Sequence, residues 1–357
     1  MSNDYLILVI NPGSTSTKIA AFRDERLQFE EILYHSHDDL SAFQHIADQH
    51  GMRHDRVLDC LQRHGIETGA LDAIVGRGGI LRRVPSGTYV VNQRMVAELQ
   101  TPKEREHASN LGALIAAEIA EEAGASAFIV DPVSVDEFDD IARISGLPEI
   151  ERRSLSHALN LKAMARRAAA ELGRRYEEIN LIVVHMGGGI SVSPHRRGRM
   201  IDVNQALDGT GPFSPERSGG LPVGDVARMC YSGEYTYKQV FRRIAGRGGL
   251  VAHLGTNDAR KVELMIAEGD GHARLVYEAM AYQIAKEIGG MATVLRGDLE
   301  AIVLTGGLAA STMLTGWIRD RVGWIAPVII YPGQEEMLAM AQGALRVLGG
   351  DERPKEY

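Results

Sequence analysis

The sequence predicts an α/β protein made of two similarly built domains, and three observations carry that prediction. Short apolar, β-rich runs precede glycine-rich turns three times: residues 5–10 before NPGSTST, 181–185 before MGGG, and the AIVLTGGLAAS stretch at 301–311. Helical periods with apolar residues at i, i+3 and i+4 lie between these runs. Asn11 and His185, at equivalent turns, are 174 residues apart in a chain of 357, so one plan used twice is the simplest account.

Taken in order, 5–10 and 18–22 read as a β-hairpin joined by NPGSTST. Helices are expected at roughly 40–64, 93–100, 107–124 and 157–172. The run 181–185 and residues 190–193 form a second hairpin around MGGG. Further helices are expected at about 258–268, 272–296 and 335–348, and the third glycine turn opens a helix toward Arg319. Strand, glycine turn, helix is a phosphate-binding geometry, because backbone N–H groups are left pointing at the ligand. The stretch 204–224 is rich in Gly, Pro and Ser, and a loop that long inside a compact domain is more often functional than idle. The last seven residues, DERPKEY, are expected to be frayed.

Composition narrows the function. Hydrophobic residues make up 45% and charged residues 24%, enough to build a core and too balanced for general disorder. The 39 glycines exceed the usual share of about 7%, which suggests tight turns where a ligand meets bare backbone. A net charge of −8 argues against a broad nucleic-acid or membrane-surface footprint. The two cysteines, Cys60 and Cys230, form no CxxC, so a reducing compartment and no cysteine-rich metal site are expected. The apolar start is shorter than a signal peptide's core, and no stretch approaches a membrane span. The cytoplasm is the expected location.

NPGSTSTK at 11–18 combines Asn11, Ser14, Ser16 and Lys18 within one hairpin turn, where hydroxyls, backbone amides and an ammonium can cradle a phosphate. It lacks Walker spacing, and an ordinary Asn/Gly/Ser turn is the alternative. In HMGGG, the absence of Cβ at Gly187, Gly188 and Gly189 permits close approach to a polyphosphate. TGGLAAS, with Gly306, Gly307 and Leu308, is weaker by itself.

With VINPGSTSTK, VVHMGGGIS, GPFSPERSGGLP, LGTNDAR, LTGGLAAS and YPGQEE in this order, the chain resembles the acetate and butyrate kinase family from about residue 5 to 348. Its GRGG, SHALN and PFSPERSGG variants are more similar to the butyrate kinases. The resemblance implies an α/β fold of two duplicated ribonuclease H-like (actin-like) domains with an ATP cleft between them, divided at about 150/151, with the last helix packing back on the first domain. It implies transfer of the γ-phosphoryl of ATP to a short-chain carboxylate, by direct in-line transfer, giving an acyl phosphate and ADP. Butyrate is the expected acceptor; isobutyrate, isovalerate, propionate and acetate are alternatives, and a non-enzymic ATP-binding actin-like regulator is the alternative outside catalysis. Mg²⁺ and ATP/ADP are the implied cofactors, and a homodimer or larger homo-oligomer the implied assembly.

Residue by residue, the resemblance assigns Arg77 in VGRGG and Arg217 in PERSGG to the carboxylate and the transferring phosphoryl. An anion attacking an anion meets repulsion of about 4 kcal/mol per unit pair at 4 Å in an effective dielectric of 20, and guanidinium forks offset it. His157 in SLSHALN matches the histidine that hydrogen-bonds the phosphoryl group, and Asp131 in FIVDPVS the catalytic aspartate. Glu335 in YPGQEEM matches the Mg²⁺-linked glutamate, with Glu336 the adjacent alternative and Asn11 close to the metal. His107 and His185 match phosphate contacts; Asp258, Arg260 and Gly306 to Leu308 match the adenosine side. Two departures bear on specificity. Gly78 and Gly79 stand where acetate kinases carry bulkier apolar residues, and Ser156 where the family usually has phenylalanine, both read as room for a longer acyl tail. Six histidines between His35 and His64 carry no HExxH and read as a solvated helix face.

Overall fold

The computed structural model describes residues 4–101 and 108–357, which form two compact units: Met1–Val135 with Glu335–Tyr357, and Asp136–Gln334. In the first unit the strands are β1 (Leu6–Pro12), β2 (Ser16–Arg23), β3 (Arg26–Tyr34), β4 (Ala73–Arg77), β5 (Thr88–Val90) and β6 (Ser126–Val130). They form one sheet in the order β3-β2-β1-β4-β6-β5. Strands β1, β4 and β6 are parallel; β2, β3 and β5 run antiparallel to their neighbours. The apolar run of β1 is buried because the sheet is covered on both faces, as a parallel centre requires. The β2–β3 hairpin turns at Asp24, whose φ of 51° suits the two-residue turn that matches strand twist. Leu8, Ile10, Ile74, Leu111 and Ile115 form the centre of the core. The helix Asn110–Ala123 packs very close to β4: a Cβ on Gly76 would overlap the carbonyl of Gly112, so only glycine fits.

In the second unit the strands are β7 (Asn180–Met186), β8 (Ile190–Arg196), β9 (Arg199–Met200), β10 (Ala301–Gly306) and β11 (Val328–Pro332), in the order β11-β10-β7-β8-β9. Strands β7, β10 and β11 are parallel and β8 and β9 antiparallel. Here the two-residue turn is Arg197–Gly198, both at positive φ. Each sheet therefore reads third, second, first, fourth, fifth from its own first strand, with β5 as an addition in the first unit. The duplicated α/β plan expected from the spacing of the glycine turns is thus present in the strand order. The helix Gly271–Val294 packs Tyr277, Met280, Ile284 and Ile288 into the second core.

Three local expectations differ from the structure. The helix expected over 40–64 starts only at His50. Ser36 and Asp39 close a capping box on a separate short helix, and the Asp48 carboxylate takes the His45 amide, which interrupts any continuous ladder. The helices Val223–Tyr231, Tyr237–Ile244 and Gly249–Leu254 were not anticipated in so polar and glycine-rich a region. The last residues are not frayed. Lys355 exchanges backbone hydrogen bonds with Thr88 and Val90 (2.8 and 3.0 Å), and Tyr357 is buried in the first core. No helix among the described residues is long and apolar enough to cross a membrane.

Candidate active site

In the first unit the carboxyl ends of the parallel strands carry polar residues, the position where open α/β sheets bind ligands. Asn11 ends β1, Arg77 ends β4 and Asp131 follows β6. Asn11 Nδ2 donates to Glu336 Oε2 at 3.2 Å, and Arg77 Nη1 lies 2.7 Å from the same oxygen. Glu336 opens the helix Glu336–Leu348, whereas Glu335, the expected metal-linked residue, is the exposed N-cap. The structure therefore gathers Glu336 with Asn11 and Arg77. One residue of helix phase makes the difference, and sequence spacing alone does not resolve it. Asp131 is almost fully buried at φ 39°, and its Oδ1 accepts from Ser86 Oγ (2.6 Å) and the Gly87 amide (2.8 Å).

The NPGSTSTK turn is held from beneath by Arg53, which the sequence reading missed. This guanidinium is fully buried and donates to the carbonyls of Gly13 (2.8 Å), Ser16 (3.0 Å) and Ser14 (3.2 Å), and to Thr17 Oγ1 and Gln49 Oε1. Burial, with Arg56 nearby, holds its pKa down to about 10. The pairing of Gln49 with Arg53 at i, i+4 was the only local signal. Ser14 is exposed and Ser16 half-buried on this turn, but Lys18 lies on β2 with its ammonium 2.9 Å from Glu30. Lys18 thus makes a half-exposed cross-strand ion pair beside the turn. The expected room at Gly78 and Gly79 is also absent. A Cβ on Gly78 would come within 2.5 Å of Pro132 Cβ, and one on Gly79 within 2.7 Å of Asn110 Cα, so these glycines serve backbone packing.

In the second unit His185, next to last in β7, stacks on His157, with ring centroids 4.0 Å apart. Ser191 Oγ lies 2.9 Å from His157 Nδ1, and Asn160 Oδ1 2.8 Å from His185 Nδ1, so each ring is oriented through its Nδ1. Neither Ser191 nor Asn160 was singled out in the sequence; both lie one strand register or helix turn from a predicted residue. Ser156 Oγ is buried and has no hydrogen-bond partner among the described residues. Arg217 donates to the carbonyl of Ala206 and lies over Gly189, where any Cβ would strike its guanidinium. Burial lowers the Arg217 pKa.

A cavity of about 700 Å³ in the same unit is lined by Gly187, Gly188, Asp258, Arg260, Gly307 and Leu308, among others. This brings two of the three glycine turns and the GTNDAR segment together around a space within the range of small-molecule sites. Asp258 caps the helix Ala259–Ala267 and pairs with Arg260 at 3.1 Å, which holds its carboxyl below the ordinary range. Gly306 lies at φ 93°, where a Cβ would fall 2.3 Å from the Met186 carbonyl oxygen, and it exchanges backbone bonds with Gly333. His107 lies outside the described residues.

The histidines of 35–64 form a solvated face only in part: His37, His45 and His64 are exposed and His50 is half-buried. His35 and His54 are buried, His50 meets Glu118 and His64 meets Glu31. Glu31, Cys60 and His64 bring possible ligand atoms within 4.8 Å of one another. Arg63 already occupies the Glu31 carboxylate, and burial followed by Glu31 pushes the Cys60 thiol up to about 11, so these groups fit a hydrogen-bonded cluster better than a metal site.

Two sheets on one strand plan, with glycine turns at strand ends, give the chain the actin-like α/β fold. The acetokinase family model matches residues 150–317, and the chain belongs to this family. It is 53% identical over 353 residues to butyrate kinase 1 of Clostridium acetobutylicum, a match covering 99% of each chain. Among solved structures it is similar to an acetate kinase of Porphyromonas gingivalis (TM-score 0.79, 18% identity, 96% of this chain and 100% of that one). A propionate kinase of Francisella tularensis follows (TM-score 0.73, 19% identity, 95% and 98%). These two show the fold.

Proposed function

We propose that the chain is a butyrate kinase, moving the γ-phosphoryl of ATP reversibly to butyrate to give butyryl phosphate and ADP by direct in-line transfer. The observation that carries this is 53% identity to a butyrate kinase over 99% of both chains. The site chemistry supports it. Arg77 and Arg217 offset the repulsion between carboxylate and phosphoryl group, and no general base is needed because the acceptor arrives ionised. His157, oriented through Nδ1 by Ser191, presents Nε2 to a phosphoryl oxygen. Adenosine occupies the cavity beside Asp258 and Leu308.

Asn11, Asp131 and Glu336 offer oxygen donors only, the set that suits Mg²⁺. Mg²⁺ held by these residues would supply positive charge to offset that of the transferring group. The protein's own part is to hold these carboxylates in place: Arg77 fixes Glu336 and the Ser86–Gly87 turn fixes Asp131. The enzyme acts on diffusible small molecules in the cytoplasm as a homodimer or larger homo-oligomer, without nucleic acid or membrane.

Hydroxamate trapping with ATP, Mg²⁺ and straight and branched acids from acetate to hexanoate tests this reading. Butyrate is expected to be the best acceptor. Arg217→Ala is expected to lower kcat by about 10³-fold or more. An optimum at acetate would overturn the assigned acceptor, and no acyl phosphate from any acid would overturn the reaction.

A further inference from the structure

We propose that the end of the described chain, residues 352–357, is a strap that sets the position of Asp131 through the Ser86–Gly87 turn, with Lys355 as a positioning residue. The inference rests on the reading of Asp131 as part of the catalytic site. The Asp131 amide donates to the Gly87 carbonyl (3.1 Å), while its Oδ1 accepts from the Gly87 amide and the Ser86 hydroxyl. The turn therefore grips Asp131 at both its backbone and its carboxylate.

The turn is held by the strap. Strand β5, which follows it, is three residues long and pairs with β6 on one side. Its other side receives Lys355, whose amide donates to Thr88 O (2.8 Å) and whose carbonyl accepts from Val90 (3.0 Å). Glu352 accepts from the Thr88 amide at 2.8 Å and is itself held by Arg346. Further along, Tyr357 is buried, its hydroxyl donating to Glu98 (2.6 Å) and accepting from the Arg82 amide (3.1 Å).

Covering a sheet edge needs only the backbone bonds. The Lys355 side chain does more: its stem runs over Gly87, where a Cβ would lie 2.8 Å from Lys355 Cε, and its ammonium donates to the carbonyl of Ser86. Gly87 sits at φ 148°, a conformation nearly restricted to glycine, so this half of the turn has no side chain of its own to fix it. Lysine thus acts on the same two residues that grip Asp131. Small displacements of a reacting group can cost about 10²-fold in rate, so a loosened turn should act on kcat.

Full-length Lys355→Met keeps the stem and loses the ammonium; Lys355→Arg restores a donor. Kinetics, melting temperature and hydrogen exchange at the Gly87 amide are measured on both, beside Tyr357→Phe and Asp131→Asn. Lys355→Met is expected to lower kcat by about tenfold with both KM values within about twofold, and to speed Gly87 exchange. Lys355→Arg is expected to recover most of the loss. Tyr357→Phe is expected to lower the melting temperature and to speed Gly87 exchange less. A Lys355→Met enzyme with unchanged kcat beside an inactive Asp131→Asn overturns the strap and leaves the site intact. An active Asp131→Asn overturns the site reading and the strap with it.

Discussion

Replacing Arg53 with methionine keeps the length and apolar stem of the side chain and removes every donor. Three turn carbonyls, the Thr17 hydroxyl and the Gln49 amide oxygen lose their partner. A buried polar group left unpaired costs about 1–3 kcal/mol. The carbonyls are only partly buried and can recruit water, and the variant no longer desolvates the charge whose pKa burial holds to about 10. The net loss is then about 3 kcal/mol, which for a unit of this size corresponds to a fall of roughly 6–12 °C in melting temperature. Because the same bonds shape the turn bearing Ser14 and Ser16, KM for ATP should rise as well. Lysine, without the planar fork, should recover less than half of the stability. Thermal melts of wild type, Arg53→Met and Arg53→Lys, with ATP saturation curves below the lowest transition, make the comparison. A methionine variant that melts within about 2 °C of wild type with unchanged KM would refute the reasoning.

Gly306→Ala combines a φ of 93° with overlap onto Met186 and should destabilise by about 2–4 kcal/mol; a denaturation midpoint near wild type would contradict the close β7–β10 approach. His35 is held down to about 4, first by burial and then by Arg53 and Arg56. Unfolded histidine takes its proton near 6.5, so the stability that His35 contributes is complete above pH 6.5 and is lost as pH falls toward 4. Urea melts across that window should show His35→Gln with a flatter acid slope; equal slopes would remove the effect. Iodoacetamide at neutral pH should label exposed Cys230 and spare buried Cys60, whose thiol is pushed up to about 11, until the protein is unfolded. Equal labelling of both in the native state would mean that Cys60 is open to solvent.

Features carried by consecutive residues were legible in the sequence. The apolar runs of β1, β7 and β10 and their glycine turns are local, and their recurrence at half the chain length gave the duplicated plan. What was missed depends on residues far apart. Arg53 looks like any helix-surface arginine until the hairpin turn lies above it. Gly78 and Gly79 look like vacant pocket walls until Pro132 and Asn110 take the space. The segment DERPKEY has the composition of a loose end, and the bare side of β5 and the first core, which takes Tyr357, give it partners far off in sequence. Within the site, residue type was readable but helix phase was not, which is why the sequence left Glu335 and Glu336 as alternatives.

The first unit is made from both ends of the chain, and this orders its biosynthesis. Asn11 meets Glu336 across 325 residues. The second unit is one continuous stretch, Asp136–Gln334, and can complete its fold as it leaves the ribosome. The first cannot: until the helix Glu336–Leu348 emerges, β1, β4 and β6 lack the element that carries Met340, Ala341 and Ala344 into the core. A nascent chain thus spends most of its synthesis with one face of its parallel sheet uncovered and no Glu336 beside Arg77. Truncated products of translation should accordingly hold a finished second unit attached to a sticky, catalytically silent first one, a natural substrate for chaperones and proteases.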